Sequence, residues 1–131
     1  MTRDSKLNTN NLHILLVEDD LVSQFLLKET LHMWNTTITV DVAGNGIEAL
    51  EKLKNKHYDL ILLDIHMPKM DGYETTRIIR TEFAIELRNI PIIAMTGQSS
   101  FENAKFDMNG FIPKPFESDV LFETIERVIL K

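Results

Sequence analysis

The sequence has no cysteine, only five glycines and four prolines, and a single tryptophan. Without cysteine there is no disulfide framework and no thiolate chemistry, so the fold must stand on its apolar core. No apolar run approaches the roughly 20 residues that a membrane-spanning helix needs. The polar start, Met1 to Asn10, has no apolar stretch of the kind that defines a signal peptide, so a cytoplasmic setting is expected. Positive charge is also scarce: 14 basic against 20 acidic residues give a net charge of −6, which argues against direct nucleic-acid binding through phosphate contacts. The four histidines, His13, His32, His57 and His66, lack the close spacing of a zinc site.

What remains, 131 residues with 44% hydrophobic content, suits one ordinary domain. Residues 1–10 carry Thr, Asn, Ser and charge without apolar periodicity and read as a tail or linker; the domain is expected over 11–131. Strand character falls at Leu12 to Val17, Thr36 to Ala43, Asp59 to Asp64, Ile90 to Thr96 and Gly110 to Pro113. Helical character falls at Leu21 to Trp34, Ile47 to Leu53 and Tyr73 to Arg80, with a short helix around Ser99 to Phe106 and a last helix after Pro115. Asn45 and Ser118 are the expected caps of the second and last helices, and Asp20 that of the first.

Ile14-Leu15-Leu16-Val17 and Leu60-Ile61-Leu62-Leu63 have no polar interruption, as strands buried on both faces require. Alternating strands and helices predict an α/β fold with a parallel sheet, whose strands share one carboxyl edge. Ligands of open parallel sheets bind at that edge. Here the first strand runs into Glu18-Asp19-Asp20, the third into Asp64, the fourth ends at Thr96, and Lys114 follows the fifth. Acids crowded together repel and need a compensating cation or a shared proton. Mg²⁺, which takes oxygen ligands and keeps several waters, suits an open acidic cluster. A carboxylate nucleophile, a metal, a hydroxyl and an ammonium are the parts of a phosphoryl-transfer site.

The order and spacing of Ile14 to Asp20, Ala43-Gly44-Asn45-Gly46, Tyr58 to Asp64, Met67-Pro68-Lys69-Met70-Asp71-Gly72, Pro91 to Thr96 and Lys114-Pro115-Phe116 resemble the response-regulator receiver family, from about Asn11 to Lys131. The resemblance implies a flavodoxin-like, doubly wound, five-stranded sheet of order 2-1-3-4-5. It implies Asp64 as phosphoacceptor, Asp19 as metal ligand, Glu18 as second acid and the His66 backbone carbonyl as a further Mg²⁺ ligand. Thr96 is then the hydroxyl donor, Lys114 the ion-pair partner of the phosphoryl group, Gly97 a small residue that leaves it unobstructed, and Phe111 an aromatic at the switch position. His66 and Gln98 fall at positions that vary within the family and tune the lifetime of the acyl phosphate. A cis Lys114-Pro115 bond is also implied.

The implied partner is a histidine kinase or a histidine phosphotransfer protein, and the implied role is that of a phosphoacceptor rather than an enzyme. Two alternatives stand beside it. A degenerate receiver would act only as a phosphorylation-independent binding module. An aspartate-nucleophile phosphatase would place a second acid two residues after the first, where this chain has His66. The chain fits either a single-domain regulator or the receiver of a hybrid histidine kinase, and its residues specify no oligomeric state. Between Thr96 and Lys114 it is shorter than the family pattern by about one helical turn, or four residues. A shortened fourth helix and a locally mobile segment over Gln98 to Asn109 are therefore expected.

Overall fold

The computed structural model describes residues 11–97 and 107–130. Five strands, β1 (His13–Val17), β2 (Thr39–Ala43), β3 (Leu60–Asp64), β4 (Ile92–Thr96) and β5 (Gly110–Pro113), form one sheet of order β2-β1-β3-β4-β5. Every pairing is parallel, as expected for strands linked by crossovers. The helices are α1 (Leu21–Trp34), α2 (Gly46–Asn55), α3 (Gly72–Glu82), a single turn α4 (Ile85–Arg88) and α5 (Ser118–Leu130).

Strand alternation sorts the core into two layers. Ile14, Leu16, Leu60, Leu62, Ile93 and Met95 pack with Leu27 and Leu31 of α1 and with Leu121, Ile125 and Val128 of α5. Their neighbours Leu15, Val17, Ile61, Leu63, Ile92 and Ala94 pack on the other face with Ala49 and Leu53 of α2 and Ile79 of α3. Both faces are thus covered, which explains the uninterrupted apolar runs of β1 and β3. Trp34 stacks on Phe122 at 4.6 Å between ring centroids and joins the end of α1 to α5.

The caps follow local chemistry. Asp20 and Asn45 accept from the Ser23 and Glu48 N–H groups, as expected, and Asp71 does the same for Glu74. Ser118 differs: it is the first helical residue, and the Leu121 N–H bonds to the carbonyl of Glu117. α4, which lies between β3 and β4, was not anticipated; it has no side-chain cap and no buried residue. The helix expected around Ser99 to Phe106 lies outside the described residues, and so does Gln98. Of the segment expected to be mobile, Asp107 to Asn109 fall within the described residues, and Asp107 and Asn109 carry hydrogen bonds to the rest of the fold. The Arg80 guanidinium donates to the carbonyls of Arg88, Ile90 and Asp107 and to Asn109 Oδ1 at 2.7–2.9 Å. Asn109 also bonds both main-chain groups of Ile92, at 2.8 Å each.

On the α2 side, Asp41 sits in the middle of β2. Its Oδ2 accepts from Lys56 Nζ at 2.9 Å and from Tyr58 Oη at 2.7 Å, and lies 3.1 Å from His13 Nε2. Burial opposes the charge, but these donors outweigh it and hold the carboxyl down at about 2.

Candidate functional site

β1 and β3 are neighbours from which the chain winds in opposite directions, so their carboxyl ends frame the crevice where such sheets bind ligands. Glu18 follows β1 and Asp64 ends β3; both are buried, at 1% and 4% exposure, while Asp19 is exposed. Oxygens of Glu18, Asp19 and Asp64 all lie within 4.8 Å of one another. Asp20, whose oxygen caps α1, is not a member of this cluster.

Lys114 reaches in from beyond β5, with Nζ 3.0 Å from Glu18 Oε1 and 3.2 Å from Asp64 Oδ1. The Lys114 N–H donates to the Thr96 carbonyl at 2.9 Å, which ties the residue bearing the ammonium to the residue bearing the hydroxyl. Thr96 itself is buried at 2% exposure. Asp64 Oδ1 also accepts from the His66 N–H at 3.3 Å, and Glu18 Oε2 from the Asp20 N–H at 3.0 Å. Next to Thr96, a Cβ added to Gly97 would meet nothing within 4 Å among the described residues. Phe111 is 43% exposed on β5, and the Lys114-Pro115 bond is cis.

Burial pushes the Glu18 carboxyl above its ordinary range and the charge of Asp64 adds to the rise, against the lowering effect of the Asp20 N–H and Lys114. Burial also works against the Lys114 ammonium, but its bond to Glu18 and the charges of Glu18 and Asp64 prevail and raise its pKa. Three carboxylates therefore face one ammonium. A divalent cation fits that imbalance, and the all-oxygen donor set with spacing of up to 4.8 Å suits an ion that keeps water in its shell.

The sequence reading assembled Glu18, Asp19, Asp64, Thr96 and Lys114, and the structure brings all five to one sheet edge. His66 follows them as the residue whose N–H holds Asp64, with its side chain exposed. Two participants were missed. Gln24 Nε2 donates to the Glu18 carbonyl at 2.7 Å; its signal was a polar residue on the stripe that continues through Leu27 and Leu31. Gly72 packs on the backbone that carries Asp64, with its N–H donating to the Ile65 carbonyl at 2.9 Å.

The fold and site are those of an open parallel α/β protein with an acidic cluster at its switch point. The model of the response regulator receiver domain matches residues 14–126, and the chain belongs to that family. The transcription factor SKN7 of Saccharomyces cerevisiae is 40% identical over 121 residues, covering 89% of this chain and 18% of that protein. The hybrid signal transduction histidine kinase B of Dictyostelium discoideum is 37% identical, covering 87% of this chain and 6% of the kinase. The chain thus spans less than a fifth of the length of these relatives. Among solved structures, the receiver domain of the sensor histidine kinase PA1611 of Pseudomonas aeruginosa is similar, with a TM-score of 0.82 and 32% identity over 92% of this chain and 99% of that one. That structure has a magnesium ion coordinated in its active-site cleft. The chemotaxis protein CheY4 of Vibrio cholerae gives a TM-score of 0.80 at 28% identity, covering 89% and 98% of the two chains. No described helix is long and apolar enough to cross a membrane.

Proposed function

We propose that this receiver domain accepts a phosphoryl group on Asp64 in a Mg²⁺-dependent reaction, from a phosphohistidine on a histidine kinase or a histidine phosphotransfer protein. The observation that carries the reading is the convergence of Glu18, Asp19 and Asp64 with Lys114 bonded across two of them. Glu18, Asp19, Asp64 and the His66 carbonyl would hold the metal, which supplies neutralisation of the charge on the transferring oxygens.

An Asp64 oxygen forms the new bond to phosphorus as the bond from phosphorus to imidazole nitrogen breaks, and the electron pair stays on that nitrogen. Lys114 then pairs with the added negative charge, and the Thr96 hydroxyl donates to a phosphoryl oxygen. The domain acts as a phosphoacceptor and not as a catalyst turning over a separate substrate, at a cytoplasmic site.

The donor must bring its imidazole to this sheet edge, and the surface beside it is apolar. Leu21, Val22, Phe25 and Leu26 of α1 are 50–76% exposed. Leu26 also lines a cleft of about 390 Å³ whose walls include Glu18 and Lys114. A partner helix that buries this apolar surface would set its histidine beside Asp64.

Incubation with Mg²⁺ and phosphoramidate, followed by intact mass measurement, tests the reading. The wild type gains one phosphoryl group and Asp64→Asn gains none. A folded wild type that gains nothing, or an Asp64→Asn variant that gains as much, would overturn it in favour of the binding-module alternative.

A further inference from the structure

Glu18 lies one residue beyond β1, and both of its main-chain groups are engaged. Its N–H donates to the Ala43 carbonyl at 3.0 Å, which prolongs the ladder with β2. Its carbonyl accepts instead from a side chain, Gln24 Nε2, at 2.7 Å. Gln24 sits in the first turns of α1, where its own N–H donates to the Asp20 carbonyl at 3.0 Å, so the helix start and the acidic loop are tied together twice.

The carbonyl of Glu18 and the N–H of Asp19 belong to one planar peptide unit. A bond that fixes the direction of that carbonyl also fixes the direction in which Asp19 leaves the loop. The other acids have additional restraints: Glu18 is held by the Asp20 N–H and Lys114, and Asp64 by Lys114 and the His66 N–H. Asp19 is exposed and accepts no hydrogen bond among the described residues. Its aim toward Glu18 and Asp64 therefore depends on the main chain, and the main chain there is held by Gln24.

We infer that Gln24 is a positioning residue for the metal cluster, its side-chain amide locking the peptide between Glu18 and Asp19 so that the Asp19 carboxylate faces the other two. The inference rests on the reading of the cluster as a Mg²⁺ site. Gln24 is not one of the clustered acids; its side chain bonds the main chain, and its role runs through Asp19. Groups that orient metal ligands typically change affinity by about 10–100-fold when removed, and the lower end of that range applies to a single bond to the backbone.

The test is a double-mutant cycle on the full chain, with Mg²⁺ affinity read by calorimetry and folding by urea unfolding. Gln24→Met, unbranched and of similar length, removes the donor and weakens Mg²⁺ binding about tenfold. Asp19→Ala weakens it as well. In the Asp19→Ala background, Gln24→Met has no further effect, because the group it positions is gone. Gln24→Leu repeats the measurement with a branched side chain. A Gln24→Met protein that unfolds more readily but binds Mg²⁺ as the wild type does would overturn the inference, and so would full additivity of the two substitutions. Wild-type protein that binds no Mg²⁺ would overturn the metal reading itself, an outcome visible before any Gln24 variant is made.

Discussion

Lys114 and Glu18 are 96 residues apart in sequence, yet the Lys114 ammonium lies 3.0 Å from a Glu18 oxygen in the buried part of the site. The same ammonium is 3.2 Å from Asp64, so it offsets the charge of two of the clustered carboxylates at once. Lys114→Met strands a carboxylate that is only 1% exposed. The loss expected at neutral pH is about 1–3 kcal/mol, nearer the lower figure because the lysine is itself one-third exposed. Added Mg²⁺ restores more stability to this variant than to the wild type. Urea unfolding with and without the ion checks both statements, and an unchanged midpoint in its absence would count against them.

Asp41 predicts a pH dependence. Its folded pKa of about 2 lies below the ordinary 3.8, so its contribution to stability is complete above pH 4 and is lost as pH falls through about 2. A difference of nearly two units corresponds to about 2 kcal/mol. Asp41→Asn lowers stability by that order at pH 7 and flattens the decline between pH 4 and pH 2. Thermal unfolding across that window would show a parallel decline in both proteins if Asp41 were not the group responsible.

Gly72 is needed for space. A Cβ there would fall 2.8 Å from Ile65 Cα and 2.9 Å from the Asp64 carbonyl oxygen, both backbone atoms that cannot rotate away. Gly72→Ala is expected to lower stability by about 1–3 kcal/mol and, by displacing the end of β3, to weaken Mg²⁺ binding. Gly97→Ala is the control: its Cβ meets nothing within 4 Å among the described residues, and stability should stay within about 0.5 kcal/mol of wild type. Equal stability of the two variants would refute the packing argument.

Phe25 is 63% exposed, and replacing it tests the donor surface without touching the core. Phe25→Ser should unfold within about 0.5 kcal/mol of wild type and take phosphate from phosphoramidate at the wild-type rate. Transfer from a phosphohistidine protein should slow, because the apolar area that a partner would bury is reduced. Equal slowing with both donors would instead place the effect on the chemistry at Asp64.

The architecture is readable because the strands carry their own signals: Ile14–Val17 of β1 and Leu60–Leu63 of β3 are uninterrupted apolar runs, and each is followed directly by an acid, Glu18 or Asp64. The same reasoning brought Thr96 and Lys114 to the correct edge, since residues at strand ends in a parallel sheet must converge. What escaped is tertiary in origin. α4 is a single turn, too short for any periodicity to register. Ser118 looked like a cap by residue type, but the helix starts with it as its first residue. The hub at Asp41 depends on partners distant in sequence, His13 of β1 and Lys56 and Tyr58 of the connection between α2 and β3, and the hint was an acid in a strand, where Asp is disfavoured. Gly72 was visible within a motif, though the backbone crowding that requires it was not.

Arg80 closes a loop. By holding the Asp107 carbonyl and Asn109 from the side of α3, while Asn109 grips both main-chain groups of Ile92, it sets where the chain enters β5 independently of what precedes residue 107. Residues can then be added or removed upstream of that clamp without shifting the register that delivers Lys114 to its acids. Length variation between β4 and β5 becomes a free parameter of the domain, while the geometry of Lys114 against Glu18 and Asp64 stays in place.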